Sequence, residues 1–408
     1  MDNKIGNSNP FNIVVIVAAL GYFVDIYDLT LFGIVRNSSL EGIGIAKDQI
    51  KDAGVYLLNM QMGGMLIGGV VWGILGDKKG RLSTLFMTIL LYSLANIANG
   101  FVQNLEQYAW LRLIAGFGLA GELGIGITLV SEVMTKETRG WGTSIVSGFV
   151  IAGAVLAFLV AKWGWKEAFW VGGGLGIALL GLRVYVHESG MFDKMKKSDA
   201  KRGDFLSLFT NGKRFLKYLC CILIGVPVWY VVGILIFFAK EFAEALHITG
   251  PVDSGTSIMY HYTGAAIGSI LTGYISQKLR SRKKALLIAL LMLGSFCAWY
   301  FMAAGSTPST FYIISFMLGL AMGYWAVFIT VASEQFGTNI RSTVTTTVPN
   351  FVRGSTVLML LWWNSMSPGM GLLQAAIIVG VIVIPVAIGA VFFLEESHGK
   401  DLDYVEEY

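Results

Sequence analysis

Residues 63–100 read GGMLIGGVVWGILGDKKGRLSTLFMTILLYSLANIANG. Two apolar runs flank a short break that concentrates Asp77, Lys78, Lys79 and Arg81 between Gly73 and Leu82. Extended to 53 on one side and 101 on the other, each run approaches the ~20 residues a helix needs to cross a bilayer. Neither run alternates with period two, as a membrane β-strand would. The segment therefore reads as two transmembrane helices joined by a tight, charged turn.

Working outward, such runs occur twelve times: 11–35, 53–75, 83–101, 108–130, 142–161, 169–186, 218–239, 256–277, 284–304, 310–331, 342–364 and 371–394. Composition agrees. The 408 residues are 55% hydrophobic and 14% charged, with a mean hydropathy of +0.66. Water-facing domains carry about 25% charged residues, and a soluble globule could not bury this much apolar surface. A soluble enzyme and a nucleic-acid binder are excluded, and the lipid bilayer is the expected surrounding. The first run carries Asp25 and Asp28 and lacks a basic leader, so it is not expected to be a cleaved signal. Cys220, Cys221 and Cys297 lie inside apolar runs and form neither a disulfide framework nor a metal spacing. No cofactor and no metal are expected.

Lys and Arg placement sets orientation. With the N-terminus in the cytoplasm, 22 of the 30 basic residues fall in inside segments and 6 in outside segments. Both termini are expected to be cytoplasmic, in a multi-pass protein of the inner (plasma) membrane. The break near 184–216 is rich in Lys and Arg and separates six runs from six. Three parts are expected: an N-terminal six-helix bundle over 1–186, a cytoplasmic linker over 187–217, and a C-terminal bundle with a short tail over 218–408.

The halves repeat. Ser131-Glu132 and Arg139 follow the fourth run; Ser333-Glu334 and Arg341 follow the tenth, 202 positions later. The loop at 73–82 has a worn copy between Gly273 and Lys284. Each half closes on a related tail, Glu188-Ser189-Gly190 and Glu396-Ser397-His398-Gly399. A carboxylate at a helix end can cap backbone N–H groups and pair with a nearby Arg. Asp77, Arg81, Glu132, Arg139, Glu334 and Arg341 are therefore expected to latch helix ends and to release them during conformational change.

On these residues the chain resembles the major facilitator superfamily over essentially its whole length. The family's loop signature, G-x-x-x-D-(R/K)-x-G-R-(R/K), stands at 73–82 and departs only at Leu82. The resemblance implies an all-α membrane protein, twelve helices in two pseudo-symmetric six-helix bundles around a central cavity, working as a monomer by alternating access.

Ionisable residues near the bilayer centre are costly, about 2.5–3.5 kcal/mol on insertion scales. Asp25, Asp28, Glu122 and Arg353 lie near the midpoints of their runs; Arg112 sits closer to one end. Three acids against one deep guanidinium leave surplus negative charge, which protonation relieves. The offset of 202 carries Glu122 onto Tyr324 and Arg353 back onto Ile151, so the acids belong to one half and the deep Arg to the other. Asp25, Asp28 and Glu122 are the expected proton-coupling residues, with Asp28–Arg112 as a gating pair. A guanidinium with five donors seeks a carboxylate or phosphate, and if no protein acid faces Arg353, the substrate is its natural partner. Arg353, helped by Asn350, is expected to bind that substrate, with Tyr324, Tyr260 and His261 as further cavity candidates.

The fourth run, Arg112-x-x-x-Gly116-Phe-Gly118-x-x-Gly121-Glu122, and the first, with Asp25 and Asp28, are similar to the proton symporters for organic acids, including the aromatic-acid and phosphate branches. Arg353, twelve residues after Arg341, resembles the eleventh-span Arg that those carboxylate symporters use on the anion. The phosphate branch expects an acid in the seventh span, and 218–239 has none. The resemblance implies proton-coupled uptake of a small organic anion, with protons and a small molecule as the partners. A symporter for a neutral sugar or polyol, or for phosphate, is the alternative reading, and a transporter-like sensor or lipid scramblase is a third.

Overall fold

The computed structural model describes residues 13–134, 146, 149–183, 203–400 and 404–406. The apolar runs are helices. Spans 1 to 3 are Ile13–Gly42, Ile50–Lys79 and Arg81–Asn99. Span 4 comes in two pieces, Leu105–Leu119 and Glu122–Val133. The described part of span 5 is Val150–Ala161, and span 6 is Trp165–Arg183. Span 7 is Gly212–Tyr230 followed by a π-helical turn, Val231–Ile236, and a short helix, Ala239–Ala245. Spans 8 and 9 are Ser254–Lys278 and Arg282–Phe301. Span 10 is again split, into Pro308–Met322 and Trp325–Glu334. Spans 11 and 12 are Arg341–Met370 and Leu372–Phe393. The fold is all-α: twelve membrane helices in two related bundles.

Helix starts follow local chemistry. The side chains of Asn104, Asn211, Asp253, Ser281 and Thr307 each accept a hydrogen bond from a backbone N–H of the first turn, satisfying donors the helix cannot. Two single-residue turns need glycine: Gly80 (φ 113°) between spans 2 and 3, and Gly371 (φ 90°) between spans 11 and 12.

The breaks in spans 4 and 10 are related by the repeat. Leu119 and Met322 end the first pieces, Glu122 and Trp325 open the second, and each pair is 203 positions apart. Glycine lets the broken helices approach their neighbours. A Cβ at Gly116 would meet the Gln61 carbonyl oxygen at 2.1 Å, and one at Gly319 would meet that of His261 at 1.8 Å. Spans 2 and 4 thus pack backbone to backbone, as do spans 8 and 10.

Two shifted boundaries bear on the site. Span 1 runs to Gly42 rather than 35, carrying Arg36 inside the helix. Span 7 begins at Gly212, so the expected linker 187–217 ends earlier; its residues up to 202 lie outside the described residues, as do Arg139 and the tail 188–190. Glu132 lies in the span 4 helix, with its side chain outside the description.

Candidate functional site

A narrow cavity lies between the bundles. Span 1 contributes Tyr22, Ile26 and Leu29, and span 7 contributes Trp229 and Val232 at the π turn. The other wall holds Tyr262, Met322, Trp325 and Arg353. The lining is aromatic and aliphatic, and Arg353 is its one charged side chain. A π turn exposes a local backbone irregularity where a helix meets a site, and the split helix of span 10 presents Trp325 at the start of its second piece.

Arg353 does not stand alone. Its Nη2 lies 3.2 Å from Asp25 Oδ2, and both residues are buried. Its Nη1 points to Asn350 Oδ1 at 3.5 Å. The Asn350 amide nitrogen donates to the Ala120 and Thr346 carbonyls, each at 2.7 Å. Ala120 lies in the break of span 4, so Asn350 ties that break to span 11. The condition that left Arg353 to the substrate, no protein acid facing it, is not met in this conformation: Asp25 occupies it. The pair is incomplete: among the described residues Asp25 Oδ1 and Arg353 Nε have no hydrogen-bond partner.

Glu122 opens the second piece of span 4 and accepts a 2.7 Å hydrogen bond from Thr88 Oγ1. A helix N-terminus favours negative charge there. Glu122 is within electrostatic reach of Asp25. Asp28 points away from the cavity, into the N-terminal bundle, where a Cβ on Gly172 would stand 2.6 Å from its Oδ1. Arg112 is nearby but forms no ion pair with Asp28. Its Nη2 donates instead to Gln61 Oε1, and its guanidinium lies over the Phe32 ring, 4.8 Å from the centroid. The expected gating pair is therefore unformed here, because Gln61 supplies the closer acceptor.

Three cavity candidates fall elsewhere. Tyr324 is buried with its hydroxyl donating to the Ile224 carbonyl at 2.9 Å, stitching span 10 to span 7. Tyr260 is exposed and stacks on Tyr312. His261 is buried between the Ser315 carbonyl and Met322 Sδ. Their chain neighbours Trp325 and Tyr262 face the cavity instead, since one residue turns a helix by about 100°.

Four of the latch residues, Asp77, Arg81, Glu334 and Arg341, lie at one end. Asp77 pairs with Arg81 at 3.3 Å. Its Oδ2 accepts from both the Thr343 N–H (2.7 Å) and hydroxyl (2.6 Å), across the bundle boundary. The Thr128 and Thr345 hydroxyls meet at 2.6 Å nearby. Glu334 pairs with Arg282 at 3.1 Å rather than with Arg341. Arg341 donates to the Ser333 carbonyl and the Thr338 hydroxyl, because its chain curls back over its own helix start. At the opposite end, sequence reading missed Arg36 and Glu241, which form another ion pair between the bundles at 2.5 Å. Their only signal was charge placed just outside apolar runs.

Comparison with known proteins places this arrangement. The model of the Major Facilitator Superfamily matches residues 18–355. A Cupriavidus pinatubonensis protein named as a probable 4-methylmuconolactone transporter is 26% identical over 95% of this chain and 91% of its own. The 3-(3-hydroxy-phenyl)propionate transporter of Escherichia coli is 28% identical over 77% of this chain and 79% of its own. A solved structure of a proton:xylose symporter shares the fold, with a TM-score of 0.76 at 16% identity, covering 96% of this chain and 97% of that one. Twelve spans, two repeated bundles and a cavity between them, matched by the family's model over most of the length, make this chain a member of the Major Facilitator Superfamily, a multi-pass membrane transporter and not an enzyme.

Proposed function

We propose that the chain is a proton-coupled symporter that takes up a small organic anion, such as a carboxylate, by alternating access. The observation that carries this reading is the Asp25–Arg353 pair at the wall of an aromatic-lined cavity. Protonation of Asp25 removes the charge that holds Arg353, and the guanidinium then takes the substrate carboxylate. Deprotonation returns Arg353 to Asp25 and expels the anion. Coupling follows from that competition, since one guanidinium cannot fully serve two carboxylates.

In this scheme Glu122, beside Asp25, and Asp28, deeper in the N-terminal bundle, pass or hold the proton. Asn350 orients Arg353. Tyr22, Trp229, Tyr262 and Trp325 pack the organic body of the substrate. Asp77, Arg81, Glu334 and Arg341, with Glu132 and Arg139, hold the ends facing the cytoplasm. The protein sits in the inner membrane as a monomer, with an N-terminal bundle over 1–186, a C-terminal bundle that starts at Gly212 and both termini inside. The basic loops support that orientation, and the transporters to which the chain is similar support an organic acid. A monoanion moved with one proton carries no net charge. A second proton would add about 2.3 kcal/mol per 100 mV.

A neutral-solute symporter is the second reading, favoured by one fact: Arg353 already has a protein counter-ion. The test is uptake of 3-(3-hydroxyphenyl)propionate into vesicles under an imposed pH gradient, with competitors. Competition by carboxylates supports the anion reading. Competition by sugars or polyols alone transfers the protein to the second reading, and competition by phosphate alone makes it a phosphate carrier.

A further inference from the structure

Span 1 carries another charge on the face that bears Asp25. Arg36 follows Asp25 by three helical turns, so both project toward the C-terminal bundle, about 16 Å apart along the axis. The two bundle-crossing pairs have reversed polarity. At mid-span the N-terminal bundle gives the acid, Asp25, and the C-terminal bundle gives Arg353. At the mouth the N-terminal bundle gives Arg36 and the C-terminal bundle gives Glu241.

The mouth is closed by cations lying on aromatic rings. The Arg36 guanidinium sits 4.4 Å from the Phe238 ring centroid, and Lys51 Nζ sits 5.0 Å from that of Trp363. Phe238 and Trp363 pack together, and Trp363 stacks on Phe242. Gly54 lets Arg36 lie flat across span 2, since a Cβ there would stand 2.6 Å from Arg36 Cδ. In both contacts the N-terminal bundle supplies the cation and the C-terminal bundle the ring.

The Arg36–Glu241 pair is also unsaturated. Among the described residues Arg36 Nη1 and Glu241 Oε2 are buried without a partner, and although Arg36 Nε donates to Asn37 Oδ1 at 3.2 Å, one N···O contact joins the guanidinium to Glu241 where two parallel ones could form. Beside the pair lies an open recess bordered by Lys47, Lys51 and Lys240 as well as Glu41 and Glu244. An anion arriving there meets three ammonium groups interleaved with the carboxylates of Glu41, Glu241 and Glu244, and beyond them a buried guanidinium with an idle donor.

We propose that Arg36 is a carboxylate-binding station at this mouth, where an incoming organic anion displaces Glu241 and so unlocks the path to Arg353. The station rests on the organic-anion reading given above. Exchange of one carboxylate for another on Arg36 keeps the guanidinium paired throughout, and the displaced Glu241, a partly exposed side chain, takes up water at the mouth. The bundles separate because the substrate's carboxylate, unlike Glu241, is not attached to the C-terminal bundle.

The test uses the full chain in right-side-out vesicles. A reporter cysteine replaces Ser269 in the cavity lining; the native Cys220, Cys221 and Cys297 are buried. Glu241→Gln weakens the door and keeps the cation. Its expected result is severalfold faster labelling by an impermeant maleimide, with the KM for 3-(3-hydroxyphenyl)propionate unchanged or lower. Arg36→Gln with Glu241→Gln weakens the door and removes the cation. Its expected result is the same fast labelling with KM raised about tenfold or more. Arg36→Lys should recover part of that loss, which a purely structural role would not predict. Parental KM in the double variant overturns the station, and parental labelling in Glu241→Gln overturns the door. If the parent itself fails to take up the probe at any pH, the central-site reading falls and the station falls with it.

Discussion

Asp77 and Thr343 stand 266 positions apart in sequence, yet one carboxylate oxygen of Asp77 accepts both the backbone N–H and the hydroxyl of Thr343. Span 11 begins at Arg341 with no side-chain cap of its own. The loop of the other bundle supplies one. Because the first turn of a helix has N–H groups without internal partners, the contact joins the bundles by meeting a need that span 11 cannot meet locally.

Removing that carboxylate should loosen the end where the loop sits. Losing a helix cap costs about 1 kcal/mol, within a range of 0.5–2, or roughly a fivefold change in an opening equilibrium. Ser342, buried beside Gly76, is a fitting reporter. Asp77→Ala should speed maleimide labelling of Ser342→Cys about fivefold. Equal labelling rates with and without the carboxylate would mark the contact as static.

The Asp25–Arg353 pair predicts an asymmetric mutational pattern. Arg353→Ala leaves a buried carboxylate unpaired, at a cost of about 3–5 kcal/mol, and should lower the thermal midpoint in detergent. Adding Asp25→Asn to it should restore most of that loss, because the stranded charge is gone. Anion binding should be absent in both variants. Retained binding in the double variant would move the substrate site away from Arg353.

Glu122 separates coupling from binding. Its carboxylate takes the Thr88 hydroxyl at the start of the second half of span 4, and it does not line the cavity. Glu122→Gln should therefore keep substrate exchange across the membrane while abolishing uphill accumulation under a pH gradient. Accumulation at the parental level would show that the proton reaches Asp25 without Glu122.

The spans, the repeat and the central charges were legible because lipid punishes polarity and the chain shows where polarity survives. Asp25 and Arg353 stand out in apolar runs for that reason, and they do meet. Which neighbour faces the cavity was not legible. Tyr324 and Trp325, or His261 and Tyr262, differ by one step around a helix, and both members of each pair are buried. Helical periodicity cannot orient a face when every face is apolar. Arg36 escaped because a hydropathy window ends at a charge, while the helix continues to Gly42 and its neighbours bury the guanidinium.

Glycine contacts divide into two kinds that sequence alone does not separate. At Gly319 a Cβ would stand 1.8 Å from the His261 carbonyl oxygen, a backbone atom that cannot swing away. Gly389, inside span 12, has nothing within 4 Å. Gly319→Ala should destabilise by at least the ~1–3 kcal/mol typical of overpacking, as it pries spans 8 and 10 apart. Gly389→Ala should be neutral or stabilising by up to ~1 kcal/mol, because it removes a flexible residue from a helix. Thermal unfolding in detergent ranks them, and a reversed order would contradict the packing described.

Glu396 gives a pH-dependent prediction outside the membrane spans. Burial pushes its carboxyl up, but the Ser281 hydroxyl and the backbone N–H groups of Arg282, His398 and Lys283 outweigh that and hold it below the ordinary carboxylate range. The tail thereby caps the start of span 9, with the Arg282 N–H at 2.8 Å. A folded-state pKa below the unfolded value stabilises fully above the unfolded value, about 4.3 for Glu, and the contribution disappears as pH falls through the lower folded value. Glu396→Ala should therefore lower the thermal midpoint at neutral pH, and the gap from the parent should close as the pH drops below about 4. A gap that stays constant down to acidic pH would show that the side chain acts through packing rather than through its charge.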